Sequence, residues 1–363
     1  MKLNLTNDSK VMFAFLLAFV VAFALTPFVK RLAYKIGAVD VPKDNRRMHK
    51  QPKARLGGLA IFLGFVVSVC IFTPLPGEVI GVLLGSTIVV VLGIFDDIYA
   101  LSAKLKFVIQ IIAATVPLFF GVVIETISVP TFINETGVIQ LGWVGYPLTV
   151  LWIVAITNAV NLIDGLDGLA IGVSTISAFT LLCASLIYTP YMGSMAIVIT
   201  VLCASLSGAC LGFFPYNFNP AKLFMGDTGA LFLGYTLSSI SVMGLFKGYA
   251  AFSVAAPVLI LALPIFDTSF AILRRLKNHQ PIMAPDRGHL HHRLIDHGLS
   301  QKQAVAFIYA LCIALCLFAI FLLTTGAIKF LLLAIIVVLC VVFIIVIPRI
   351  MKSFNDEEKN ENK

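Results

Sequence analysis

The sequence has 363 residues, of which 60% are hydrophobic and only 12% are charged, whereas a soluble domain has about 25% charged residues. This composition excludes an ordinary soluble protein and predicts a polytopic helical membrane protein. The formal net charge of +8 alone could suggest nucleic-acid binding, but the basic residues gather in loops between apolar runs, which favours membrane topology as their cause.

Eleven apolar runs predict an all-α integral membrane fold with about eleven transmembrane helices, since about 17 to 25 residues cross a bilayer as a helix. The polar N-terminal segment does not resemble a cleavable signal, so the first run is expected to be retained. The outer loop 125–142 predicts a small hairpin. The charged tail 353–363 is predicted to be disordered, which leaves one transmembrane domain over residues 1–352. The predicted spans are 11–29, 56–73, 79–95, 105–124, 146–157, 169–188, 195–214, 230–246, 250–272, 304–323 and 330–347.

The charged residues also predict the orientation. Of the 26 Lys and Arg residues, 22 lie on one set of alternate loops and in the tail. The positive-inside rule places these loops in the cytoplasm, with the N-terminus outside and the C-terminus inside. All six His and ten of the twelve Asp residues lie on the same side. A transporter should place ionisable groups near mid-bilayer and on both approaches, so this one-sided distribution favours chemistry on a cytosolic substrate.

Two polar stretches lie in the first third of the chain. Residues 40–58 are basic and contain His49 and Arg55, which could grip phosphate; membrane anchoring explains most of the Lys and Arg there but not His49. Asp96 and Asp97 end the third predicted span. Adjacent carboxylates repel each other unless a cation or a base lies nearby. The pair is therefore either a solvated helix end or part of a site.

A third stretch ends the fifth predicted span with amides and carboxylates three residues apart, at Asn158, Asn161, Asp164 and Asp167. Such groups are costly at a membrane face unless they meet water, a metal or a polar ligand. Oxygen ligands suit Mg²⁺ or Mn²⁺ rather than Zn²⁺. The alternative is a polar helix end in which Asn and Asp cap a turn.

The fourth stretch, residues 217–229, contains a single acid, Asp227, directly before a predicted span. It either caps the following helix or holds a divalent ion. Phe224 either stacks on a base or anchors the chain at the membrane interface. Farther along the chain, Asp267 either lines the site or pairs with a nearby arginine.

The fifth stretch, residues 285–297, holds four His and two Arg. It has no Cys, and its HxHH spacing matches no closed zinc set. Imidazole and guanidinium together suit a pyrophosphate, as hydrogen-bond donors and general acid. A basic loop at the lipid headgroups is the alternative. Together the five stretches indicate Mg²⁺-assisted phosphoryl transfer, and the membrane body implies a lipid as the other substrate.

Four motifs resemble those of the polyprenyl-phosphate N-acetylhexosamine-1-phosphate transferase family, within glycosyltransferase family 4. They are DDIYALSAKLK (96–106), NAVNLIDGLDGLA (158–170), NPAKLFMGDTG (219–229) and DRGHLHHRL (286–294), in this order over nearly the whole chain. The HLHH form and the DVPKDNRRMH loop resemble bacterial undecaprenyl-phosphate N-acetylglucosamine-1-phosphate transferases, which begin teichoic acid, O-antigen or other envelope glycans. Ala54 departs from the pattern, since relatives often have Pro before Arg-x-Gly-Gly.

The resemblance implies that N-acetylglucosamine-1-phosphate passes from UDP-N-acetylglucosamine to undecaprenyl phosphate with release of UMP. It implies Mg²⁺, or else Mn²⁺, a multi-pass protein of the bacterial inner membrane with a cytoplasmic site, and no nucleic-acid partner. The oligomeric state stays open, a homodimer included. Two alternatives remain: a sister enzyme for another UDP-sugar, such as UDP-N-acetylmuramoyl-pentapeptide, and a lipid-linked sugar transporter.

The resemblance also implies roles by motif position. Asp227 would hold Mg²⁺ with Asn161, and Asp96 or Asp97 would orient or deprotonate the lipid phosphate. We prefer direct attack over an aspartyl intermediate, because a lipid phosphate is already an anionic nucleophile. The other expected catalytic residues are Asp164, His291 and His292, and the expected substrate contacts are Lys106 with the diphosphate, Asp167, Asn217 and Phe224 with the uridine, Arg287 and His289 with the sugar phosphate, and His49 and Arg55 with phosphate.

Overall fold

A computed structural model describes residues 6–41, 52–129, 134–135, 137–188, 195–244, 255–281, 288–324, 328–329, 331–333 and 335–336. These residues are mostly helical, as expected. The helices are α1 (Asn7–Ile36), α2 (Gly58–Phe72), α3 (Gly77–Tyr99), α4 (Ala103–Thr115), α5 (Gly145–Ile163), α6 (Leu169–Tyr188), α7 (Met195–Asn217), α8 (Gly226–Gly244), α9 (Ala255–Ile260), α10 (Ala262–Lys277), α11 (Leu290–Asp296) and α12 (Gln301–Leu323).

Within this described part of the chain, seven helical segments are long and apolar enough to cross a membrane, so a multi-pass helical protein is confirmed. The predicted eleventh span, 330–347, lies mostly outside the described residues. The predicted ninth span is wrong as one continuous helix, because its described part is divided at Leu261 into α9 and α10, and Pro264 follows in the first turn of α10, where a missing N–H costs little. The seven segments are Asn7–Ile36, Gly77–Tyr99, Ala103–Phe120, Gly142–Ile163, Leu169–Ile187, Met195–Asn217 and Gln301–Leu323.

Helix α8 lies at the centre of the bundle, packed against α2, α3, α5, α6 and α7, and nearly all of its residues are buried. Glycines permit these close contacts. A Cβ on Gly93 of α3 would lie 2.3 Å from the Cα of Thr228, and one on Gly58 of α2 would lie 2.0 Å from the backbone nitrogen of Gly229. The beginning of α8 is therefore in backbone contact with two helices, where small residues let membrane helices approach.

Short β pairings fix the loops at both ends of the bundle. Strands β1 (Val39–Asp40) and β2 (Lys53–Ala54) are antiparallel, and Arg55 continues from β2 into a parallel bridge with Phe224. The segment before α2 is thereby hydrogen-bonded to the segment before α8. At the other end, β3 (Thr126–Ser128) and β4 (Val138–Gln140) form the predicted hairpin.

Candidate active site

Asp97, in the last turns of α3, is bonded to the beginning of α8. Its Oδ1 accepts from the Asp227 N–H at 2.9 Å, and its Oδ2 accepts from the Thr228 N–H at 3.1 Å and hydroxyl at 2.7 Å. The first N–H groups of a helix lack partners within it, so Asp97 caps α8 from another helix. Gly226 has a φ of +72°, and a Cβ there would lie 2.3 Å from Asp97 Oδ2. Only glycine suits both demands.

Lys106 of α4 lies between two carboxylates. Its Nζ is 2.9 Å from Asp96 Oδ2 and 2.9 Å from Asp227 Oδ2. The other oxygen of Asp96 accepts from the Leu101 N–H at 2.8 Å, just after α3 ends. The ammonium therefore joins α3, α4 and α8 at one point, and the contact of Lys106 with a diphosphate stays a prediction.

Arg55 faces the same carboxylates from the loop before α2. Its Nε lies 3.6 Å from Asp97 Oδ1, and its Nη2 lies 3.6 Å from Asp227 Oδ1. Burial lowers the pKa of the guanidinium, but the carboxylates of Asp97 and Asp227 outweigh burial and raise the pKa overall. Arg55 is therefore a permanent cation beside the acids. Its guanidinium could also bind a phosphate.

The turn after α5 carries two further acids, Asp164 and Asp167. Burial raises the pKa of Asp164 to about 7; the charges of Asp227 and Asp97 add to the rise, and Arg55 opposes it. These electrostatic interactions connect Asp164 with Asp227 at the start of α8 and with Asp97 at the end of α3. Asn161, one turn earlier, is half-buried, and no described residue bonds to its side-chain amide. The structure thus leaves Asn161 available as a ligand group.

Asp167 and Asn217 connect this turn with the loop before α8. Asp167 Oδ2 accepts from the Ala221 N–H at 2.9 Å and lies 3.6 Å from Lys53 Nζ. Asn217 Oδ1 accepts from the Gly168 N–H at 3.2 Å, and its Nδ2 donates to a backbone carbonyl. Asn217 is buried and uses its amide oxygen and one N–H within the protein, so in this structure it shapes the loop, and its contact with the uridine stays a prediction.

Phe224 is held by backbone hydrogen bonds to Ala54 and Gly57, at 2.9 and 3.0 Å. Lys53 Nζ lies 4.8 Å from the centroid of the Phe224 ring and makes a cation–π contact with it. Sequence reasoning missed Lys53. The signal was its position two residues before Arg55, because alternate residues of a strand point to the same face.

A histidine of α11, His291, contacts the turn after α5. His291 is buried against Gly165, where a Cβ would lie 2.3 Å from its Nε2. That Nε2 has no hydrogen-bond partner among the described residues. Burial lowers the pKa of His291 to about 4, and neighbouring imidazoles add to the shift, so the ring is neutral near pH 7. The ring centroids of His291 and His292 are 4.2 Å apart.

Asp267 of α10 contacts this histidine block. Its Oδ2 lies 2.9 Å from His289 Nδ1, and its Oδ1 accepts from the Leu290 N–H at 2.7 Å. The described contacts of Asp267 are with His289 and Leu290, and its place in the site lining stays a prediction. His49 and Arg287 lie outside the described residues.

In the described ranges, no three His, Cys, Asp or Glu side chains converge as a ready metal site. Mg²⁺, however, is usually bound by one or two protein carboxylates and completed by substrate phosphates and water. Asp227 offers two carboxylate oxygens for this role, which in this structure face the cations of Lys106 and Arg55. Hard oxygen donors beside other buried acids therefore fit Mg²⁺ chemistry.

Comparison with known proteins identifies relatives over most of the chain. Residues 79–245, which contain Asp96, Asp97, Lys106 and Asp227, match the family model described as glycosyl transferase family 4. The chain is 48% identical over 303 residues to a probable undecaprenyl-phosphate N-acetylglucosaminyl 1-phosphate transferase of Bacillus subtilis (strain 168), covering 83% of this chain and 81% of the relative.

Two more distant relatives also align with this chain over most of their length. One is the decaprenyl-phosphate N-acetylglucosaminephosphotransferase of Mycolicibacterium smegmatis (34% identity over 81% of this chain and 77% of the relative). The other is the phospho-N-acetylmuramoyl-pentapeptide-transferase of Desulfotalea psychrophila (31% identity over 84% and 89%). The chain therefore belongs to glycosyl transferase family 4, among the membrane enzymes that transfer a sugar phosphate to a polyprenyl phosphate.

Proposed function

We propose that the protein transfers N-acetylglucosamine-1-phosphate from UDP-N-acetylglucosamine to undecaprenyl phosphate, as the first membrane step of a cell-envelope glycan. The observation that carries this proposal is the meeting of Arg55, Asp96, Asp97, Lys106 and Asp227 at one point. The 48% identity to a relative named for this sugar and lipid supports the choice of substrates.

In the proposed reaction, an oxygen of the lipid phosphate attacks the β-phosphorus of the nucleotide sugar. The bond from this phosphorus to the oxygen bridging the two phosphates breaks, and UMP leaves with that oxygen. The lipid phosphate is already an anion and needs no base, so Asp96 acts by holding the ammonium of Lys106 in place. Lys106 and Arg55 offer ammonium and guanidinium donors to the diphosphate oxygens. Asp97 holds the start of α8, and with it Asp227, in place.

Asp227 and Asn161 are the residues we propose as Mg²⁺ ligands. When bound, the ion would neutralise charge on the diphosphate. Burial is the main cause of the raised pKa of Asp164, and the charges of Asp227 and Asp97 add a smaller part, which a divalent cation would relieve.

We propose that the site faces the cytoplasm of a bacterial inner membrane. Arg55, Lys106, Lys222 and the basic end of α10 all belong to the loops with the positive excess. With about eleven spans, this orientation leaves the N-terminus outside and the C-terminus inside. A nucleotide sugar made in the cytosol then reaches the site without crossing the membrane.

The test is turnover by purified protein in detergent. Labelled UDP-N-acetylglucosamine and undecaprenyl phosphate should give UMP and a labelled lipid, only with Mg²⁺ present and not with EDTA. A panel containing UDP-N-acetylmuramoyl-pentapeptide tests the sugar, since one relative bears that name. If no UDP-sugar yields UMP, the proposed transferase activity is refuted. If another UDP-sugar is preferred, the proposed choice of N-acetylglucosamine is refuted.

A further inference from the structure

The carboxylate of Asp267 grips the beginning of α11 in two places. Its Oδ2 lies 2.9 Å from His289 Nδ1, and its Oδ1 accepts from the Leu290 N–H at 2.7 Å. The two side chains are only 8% and 6% exposed, respectively. His289 is the N-cap of α11 but makes no side-chain cap bond of its own. Asp267 thus supplies the acceptor that the first turn of α11 needs and fixes the imidazole at the same time.

This geometry decides which ring nitrogen carries hydrogen. A carboxylate only accepts hydrogen bonds, so Nδ1 of His289 must carry the hydrogen. In the neutral ring, Nε2 then has a lone pair and acts as an acceptor. None of the described residues bonds to that Nε2, which makes it the atom left for a ligand.

We infer that Asp267 is a positioning residue, which holds His289 in the Nδ1–H tautomer so that Nε2 accepts a hydrogen bond from a hydroxyl or amide N–H of the sugar. The inference rests on the proposed function and on the roles that the family resemblance implies, in which the sugar phosphate lies beside the histidines. Phosphate oxygens only accept, so a lone pair on Nε2 would repel them, and the diphosphate is left to Lys106 and Arg55. The His289 ring lies parallel to that of His291, with centroids 5.9 Å apart, and His291 in turn touches Gly165.

The variant Asp267→Asn tests the role of the carboxylate with little change in shape. The Leu290 N–H keeps the amide oxygen on its side, so the NH₂ group faces His289 Nδ1 and forces the hydrogen onto Nε2. We expect kcat/KM for UDP-N-acetylglucosamine to fall about 10- to 100-fold, mainly through KM, because a hydrogen-bond donor of the sugar is left without its acceptor. Affinity for UMP, which lacks the sugar, should stay within about twofold. Asp296→Asn removes the same charge from an exposed position on α11 and should retain wild-type kinetics.

A double-mutant cycle with His289→Gln separates positioning from mere structural support. If Asp267 acts through His289, Asp267→Asn causes no further loss of kcat/KM in the His289→Gln background. Additive losses, wild-type kinetics in Asp267→Asn, or weakened UMP binding in that variant would each overturn the inference.

A second measurement needs no folded variant of Asp267. Nitrogen NMR of wild-type protein carrying ¹⁵N-histidine, with the His289 resonances identified by their loss in His289→Gln, reports the tautomer directly. An Nδ1–H ring supports the inference and an Nε2–H ring overturns it. If the wild-type protein releases no UMP from any UDP-sugar, the proposed function fails while this tautomer remains measurable.

Discussion

Replacing Asp97 with Asn should uncouple α3 from α8. The carboxylate accepts three hydrogen bonds, two from backbone N–H groups and one from the Thr228 hydroxyl, and its side chain is fully buried. In the variant the amide oxygen can keep the bond from the Asp227 N–H. The amide nitrogen, however, is a donor that meets the N–H of Thr228, so at least one charge-assisted bond is lost.

The size of the effect follows from these contacts. A hydrogen bond to a charged group contributes about 1.5–3 kcal/mol, and a buried donor left without an acceptor costs a similar amount. We therefore expect a loss of about 2–4 kcal/mol in the free energy of unfolding. Because the start of α8 carries Asp227, a displacement of about 1 Å there should also lower kcat about 100-fold.

The assays are thermal unfolding in detergent and release of UMP from UDP-N-acetylglucosamine. Asp164→Asn is the matched control for stability, since it alters an acid of the same site whose carboxylate no described residue hydrogen-bonds. An Asp97→Asn protein with unchanged Tm and with kcat within about threefold of wild type would refute this account of the α3–α8 junction.

Three further changes test other contacts. Gly93→Ala puts a Cβ 2.3 Å from the α8 backbone and should cost about 1–3 kcal/mol of stability, whereas Gly77→Ala, whose Cβ would meet its nearest atom at 3.8 Å, should unfold like wild type. Lys106→Met removes the cation between two carboxylates and should lower kcat/KM about 100-fold or more, with Lys104→Met as the exposed control; equal activity of the two variants would contradict the proposed contact. His291 has a folded pKa of about 4, below the ordinary 6.5, so the unfolded state binds more protons between these values and the stability from this residue is lost as pH falls from about 6.5 to 4. Compared with wild type, His291→Gln should therefore show a smaller fall of Tm over that range, and identical pH profiles would exclude the burial we describe.

Much of the architecture could be predicted from local sequence. Apolar runs predicted the long helices because a transmembrane helix must match the bilayer thickness. Alternation and a central glycine predicted the hairpin in the loop 125–142. The predicted ninth span fails as a single helix because hydropathy reports apolar character and not helix continuity. The composition also does not reveal that α8 is enclosed by five other helices, where its serines and threonines are buried in protein.

The candidate site could be predicted only as a set of residues. The sequence predicted carboxylates, amides and histidines in five loops as site residues, because such groups are costly beside a membrane unless they have partners. Which of them meet was decided by the tertiary structure: Asp97 caps α8, Asn217 closes a loop, Lys53 covers Phe224, and Asp267 holds His289. The physical reason is that these partners lie up to 171 residues apart, as Lys53 and Phe224 do. Their contact depends on backbones that touch at glycines, which a local pattern does not specify.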